Sequence, residues 1–167
     1  WQHIGGVDPD FDHFNEAATA LNKGGVVGAV TFLVRNGIYD EQVTLNEIIG
    51  VNQDNPVVFQ SENGDSTMVR LFYASADPAK NYTLRLNGTD WITFRKLTIE
   101  ATNGTFGNAV DFTAGATHNT FENNEIKGPN EGDANYVLNS YDSNDDFITI
   151  RHNRILGGRV GVHLYGL

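Results

Sequence analysis

One eight-residue pattern recurs five times along this chain and constrains its fold more than any single residue does. It occupies residues 30–37, 57–64, 92–99, 119–126 and 148–155, with starts 27, 35, 27 and 29 residues apart. Its third position reads Phe32, Phe59, Phe94, Phe121 and Ile150. Self-similarity at such spacing marks stacked units, each too small to bury its own apolar face. The five third-position residues are therefore expected to stack in one interior column.

Between the copies lie second β-rich runs at 42–45, 68–73, 82–86, 109–112, 136–138 and 160–165. Apolar and polar residues alternate in each, as in a strand with one buried face. Gly, Asn, Asp and Ser gather between the runs, where sharp corners need left-handed backbone. Two or three strands per turn of about 25 residues, with no helical periodicity inside the repeats, predict an all-β solenoid, the right-handed parallel β-helix.

One helix is expected, over about 12–22. Phe11, Phe14, Ala17, Ala18 and Leu21 share a face, Asp10 or Asp12 is placed to cap the start, and Gly24-Gly25 stops it. Terminal units of a solenoid carry a cap, so residues 1–25 read as the lid and 26–167 as about five rungs of a single domain. The C-terminal segment 161–167 reads as an uncapped strand, which predicts a longer parent protein or a partner chain covering that end.

Composition excludes several partners. A net charge of −10, from 21 acidic and 11 basic residues, argues against nucleic acid and against an anionic membrane surface. No run of about 20 apolar residues suits membrane insertion. With no cysteine, disulfides and thiolate metal sites are excluded. His118, His152 and His163 lack ligand spacing.

Three constellations carry candidate chemistry. Exposed aromatics stack on the C–H face of a sugar ring, and Tyr39, Tyr73, Tyr82, Trp91, Tyr136, Tyr141 and Tyr165 are available. Trp91, Tyr136, Tyr141 and Tyr165 are taken as the binding set, although rung-end rings also serve to cover a core. Asp142, Asp145 and Asp146, with Asn144, offer oxygens that suit Ca2+, and suit a solvated corner equally. Arg151 and Arg154 follow on the next strand, where alternation sends Arg151 outward, as catalysis would require and as any surface Arg also points. Asn124 and Asn153 fall at equivalent positions and are expected to form a buried ladder of amides bonded to one another.

Residues 11–45 resemble the start of pectin methylesterases. There a capping helix and a strand precede a Gly-x-Tyr-x-Glu motif, here Gly37, Tyr39 and Glu41. From about residue 91 the chain resembles the generic repeat of pectate lyases and of bacterial surface β-helix proteins, carried by Asn123, Asn124 and Ile126 and again by Asn153 and Ile155. The resemblance implies the fold. It does not carry the esterase machinery: Asn108 stands where those enzymes place Gln before Ala-Val, and a Gln-Asp-Thr motif is missing near 128–131. In the similar lyases an Arg or Lys beside bound calcium abstracts a proton, which implies that role for Arg151 or Arg154 beside Asp145 or Asp146 as the sharpest enzymatic idea. The composition, rich in Asn, Gly, Thr and aromatics, resembles that of secreted bacterial sugar-active proteins. The expected function is a noncatalytic module, secreted or on the cell surface, that binds a carbohydrate polymer without a cofactor. Two alternatives stay open: a fragment of a polysaccharide lyase or hydrolase, and a structural stalk or adhesin segment.

Overall fold

The computed structural model describes residues 1–130 and 135–165; Glu131 and Leu167, at the ends of two segments read above, lie outside them. The described chain opens with β1 (Gln2–Ile4) and α1 (Phe14–Gly24) and then winds through five turns of three strands each. The turns are β2 (Val30–Val34), β3 (Gly37–Asp40) and β4 (Val43–Asn46); β5 (Val57–Ser61), β6 (Val69–Tyr73) and β7 (Leu84–Asn87); β8 (Ile92–Arg95), β9 (Thr98–Ala101) and β10 (Val110–Thr113); β11 (Thr120–Glu122), β12 (Glu125–Lys127) and β13 (Tyr136–Ser140); and β14 (Thr149–Arg151), β15 (Arg154–Leu156) and β16 (Val160–Leu164). Corresponding strands of successive turns pair in parallel. The first sheet runs β1-β2-β5-β8-β11-β14, the second β3-β6-β9-β12-β15 and the third β4-β7-β10-β13-β16. This is a parallel β-helix with an N-terminal helix.

The eight-residue pattern does two different jobs. In the last three turns it contains a first-sheet strand, a corner and the start of a second-sheet strand; in the first turn it holds β2 and only the first residue of β3, and in the second β5 alone. The run 68–73 accordingly belongs to the second sheet as β6, whereas 82–86 and 109–112 lie in the third.

The registers align Phe32, Phe59, Phe94 and Phe121 across the first sheet. All four rings are buried and stacked, with centroids 4.7, 5.0 and 5.4 Å apart. Such pairs add about 0.5–1.5 kcal/mol each beyond the area they bury. Ile150 continues the column but is only half-buried, because β14 is the outermost strand of its sheet.

Sharp corners use bulky residues as well as glycine. Trp91, His118 and Phe147, at φ of 56°, 54° and 55°, turn the chain into the first sheet; Lys96, Asn123 and His152, at 56°, 55° and 55°, turn it out again. Non-glycine residues tolerate left-handed backbone only where surroundings over-determine it. Here the amides of Trp91 and His118 donate to the Thr117 and Asp146 carbonyls one turn on, at 3.2 and 3.1 Å. The rings of the first trio also stack, Trp91 on His118 at 4.2 Å and His118 on Phe147 at 4.6 Å.

Two local expectations are corrected. Helix α1 buries Phe14, Ala17, Ala18 and Leu21 and ends at Gly25 as expected, but neither Asp10 nor Asp12 caps it. Its N-cap is His13, without a side-chain bond, and Glu41 at the end of the Gly-x-Tyr-x-Glu motif receives the Phe14 and Asn15 amides at 3.0 and 2.9 Å. The carboxylate thus ties the lid to the first turn, where the helix's positive end favours an anion. The asparagines, in turn, do not bond amide to amide. Asn124 accepts from Leu97 N at 3.0 Å and donates to the Phe94 carbonyl at 2.9 Å, while Asn153 accepts from Asn124 N and donates to the Phe121 carbonyl. Each side chain stitches its own corner to the backbone of the turn before, satisfying groups that no sheet ladder reaches.

Candidate functional site

Alternation on the third sheet sends every second residue of a strand to its outer face. Registers Thr44–Arg85, Arg85–Asp111, Asp111–Asn139 and Asn139–His163 line up five such positions. Four of them form a hydrogen-bonded chain. Arg85 Nε donates to Asp111 Oδ2 at 2.8 Å, Asn139 Nδ2 donates to Asp111 Oδ1 at 3.0 Å, and His163 Nδ1 lies 3.2 Å from Asn139 Oδ1. The Arg85 guanidinium also rests over the Tyr82 ring, 4.0 Å from its centroid.

Asp111 is buried although it faces outward. Burial raises its proton affinity; Asn139 and Arg85 oppose that, and burial prevails. Both carboxylate oxygens have donors, so Asp111 acts as a fixed node that orients Arg85 on one side and Asn139 on the other.

Aromatic rings flank the chain. Tyr136, Tyr141 and His163 pack in a triangle with centroids 4.8 to 5.8 Å apart. The Tyr141 hydroxyl is pushed up to about 12, first by its hydrogen bond with Tyr136 and then by burial, so it stays protonated at any physiological pH. Asn108, whose Oδ1 accepts from Tyr136 N at 2.9 Å, and Tyr165 complete the walls. Arg85, Asn108, Asp111, Asn139, Tyr141 and Tyr165 line a groove of about 620 Å³, within the usual range for ligand pockets. Its floor is polar and charged, and Tyr141 and Tyr165 stand at it 62% and 55% exposed.

The structure divides the sequence-derived candidates. Tyr141, Tyr165 and Asp142 line this groove, and Tyr136 packs against Tyr141 beside it without lining the groove itself. Trp91 does not join them; it is half-buried in the corner stack with His118 and Phe147. Asp145 is buried, accepting from Gly115 N and Ala116 N through one oxygen and from Ser140 Oγ through the other. Arg151 lies on the first sheet against Glu122. Asp145 and Arg151 therefore have separate structural partners. Asp142 accepts from Asn144 N at 3.0 Å, the Asp145 oxygens are committed, and among the described residues no group of three or more His, Cys, Asp or Glu could hold a metal ion. Sequence reasoning passed over Arg85, Asp111 and Asn139. Their signal was present, because they hold the same outward position 26 and 28 residues apart.

No family model matches the chain, and no curated protein matches it. Among solved structures, a point mutant of a pectin methylesterase in complex with a hexasaccharide is similar at a TM-score of 0.46 and 12% identity, covering 92% of this chain and 66% of that one. The Aspergillus niger pectin methylesterase is similar at 0.46 and 14%, covering 95% and 67%. The chain thus spans about two thirds of the length of these enzymes. Among the described residues no helix is long and apolar enough to cross a membrane.

Proposed function

We propose that this chain is a noncatalytic, extracellular binding module that holds a carbohydrate polymer in the third-sheet groove. The observation that carries the reading is the pairing of exposed rings with a polar floor. Tyr141 and Tyr165 offer flat apolar faces to the C–H side of a sugar, and Arg85, Asn108 and Asn139 offer hydrogen bonds to its hydroxyls. Affinity is expected to be modest, because polar hydroxyls lose water on binding. Affinity electrophoresis in polysaccharide gels tests it: the chain is retarded, and the polymer's length is unchanged. Absence of retardation across acidic and neutral glycans would refute the reading and favour a structural segment.

A second reading, polymer cleavage, is favoured by one observation. Asp111, with its raised proton affinity at the groove floor, is the group suited to acid–base work. It predicts shortening of the polymer that Asp111→Asn abolishes.

A further inference from the structure

Three charged residues line the third-sheet groove: Arg85, Asp111 and Asp142. Among the described residues that line it, Arg85 is the one cation, and it is already engaged. Its Nε donates to Asp111 at 2.8 Å, its guanidinium rests over Tyr82, and only 26% of its side-chain surface is exposed. Lys80, two residues beyond Pro78 of the groove wall, is exposed and does not line the groove. With Arg85 matched by Asp111, the formal charge left over is that of Asp142.

Asp142 is held firmly at that wall. It sits in the corner after β13, next to Tyr141. Its carbonyl accepts from Ser140 Oγ at 3.3 Å and from Asp145 N at 3.2 Å, which fixes the backbone of the corner. Asn144 N donates to its Oδ1 at 3.0 Å, and among the described residues no donor reaches Oδ2. An ionised carboxylate only accepts, and its two oxygens have lone pairs for several donors. Asp142 therefore keeps acceptor sites for hydroxyls while presenting a negative charge that no cation in the groove offsets.

We propose that the groove selects neutral glycans over uronic acid polymers, with Asp142 as the specificity-determining residue, accepting from adjacent sugar hydroxyls and repelling a sugar carboxylate. The selection rests on the binding reading above and deepens it. Each hydroxyl of a neutral ring has a proton to donate. A uronate carboxylate has none, and it would face Asp142 while Arg85 is held by Asp111. Discrimination of this kind comes from a group set against the wrong ligand as much as from contacts with the right one. Tyr141 and Tyr165 can stack on the C–H face of either sugar, so the carboxylate and not the aromatic platform decides between them.

Affinity electrophoresis in a buffer of about 0.15 M ionic strength tests this. A Debye length of about 8 Å then screens the chain's net charge of −10 and leaves charges inside the groove to act. Galactomannan, xyloglucan and mixed-linkage β-glucan serve as neutral probes and polygalacturonate as the acidic one. The parent chain should bind at least one neutral polymer about tenfold or more tightly than polygalacturonate. Asp142→Asn keeps an acceptor for Asn144 N but removes the charge, and should shrink that ratio about fivefold or more by raising affinity for polygalacturonate. Asp40→Asn makes the same change of net charge at an exposed position of the second sheet and should leave the ratio where it was. Polygalacturonate binding as strong as any neutral probe overturns the selection while the binding reading stands. So does a ratio that Asp142→Asn does not move, or that Asp40→Asn moves equally. Retardation by none of these polymers overturns both.

Discussion

Arg85 and Asp111 stand opposite each other on adjacent strands of the third sheet, with Arg85 Nε 2.8 Å from Asp111 Oδ2 on the outside of the coil. An outward carboxylate that is nonetheless buried orders everything beside it. The pair fixes Arg85 against Tyr82 and, through Asn139, reaches His163 and the tyrosine triangle.

The pair has a pH signature. Burial raises the Asp111 carboxyl above the ordinary 3.8, so the folded chain holds this proton to higher pH than the unfolded chain does. The contribution of that proton to stability is complete below the unfolded value and is lost as pH rises through the folded one. Urea midpoints of Asp111→Asn should therefore gain on the parent protein as pH climbs across that window. Parallel curves would show that Asp111 titrates normally.

The phenylalanine column should dominate stability. Phe94 is buried and stacks on Phe59 and Phe121, so Phe94→Ala is expected to cost about 3–5 kcal/mol. Ile150→Ala, at a half-buried position on the outermost strand, should cost clearly less. Denaturant unfolding of both variants compares them, and equal losses would mean the last turn is packed as tightly as the third.

Asn124 is a second structural dependence. Asn124→Ala strands the Leu97 amide and the Phe94 carbonyl, both of which it now satisfies, and should cost about 2 kcal/mol or more. Amide exchange at Leu97 should accelerate with it. Unchanged exchange there would mean that another group replaces the side chain.

Glu41 ties the lid down. Glu41→Ala leaves the Phe14 and Asn15 amides without their acceptor and should destabilise by about 0.5–2 kcal/mol, with α1 exchanging ahead of the coil. A uniform loss across the chain would instead mean that lid and coil unfold as one unit.

The coil, its interior column and the helix over the first turn were legible because they depend on periodicity, and each repeat restates the same burial. The capping Glu41 was not, since it comes from 27 residues away and local spacing points to the nearer aspartates. Left-handed Trp91, His118 and Phe147 were hidden for a related reason: their backbone is imposed by hydrogen bonds and stacking between turns. At the candidate site the exposed tyrosines stood out by residue type. Arg85, Asp111 and Asn139 look like ordinary strand residues singly and acquire meaning only when the turns are stacked in register.

The most direct test of the central claim is a 15N–1H NMR titration of the chain with an oligosaccharide of a polymer that retards it. Shifts should concentrate on the Arg85 Nε–H, the Asn108 and Asn139 side-chain amides and the backbone around Tyr141, and Tyr141→Ala should abolish them. Shifts centred on the Trp91 indole and Phe147, with the third-sheet groove silent, would contradict the account.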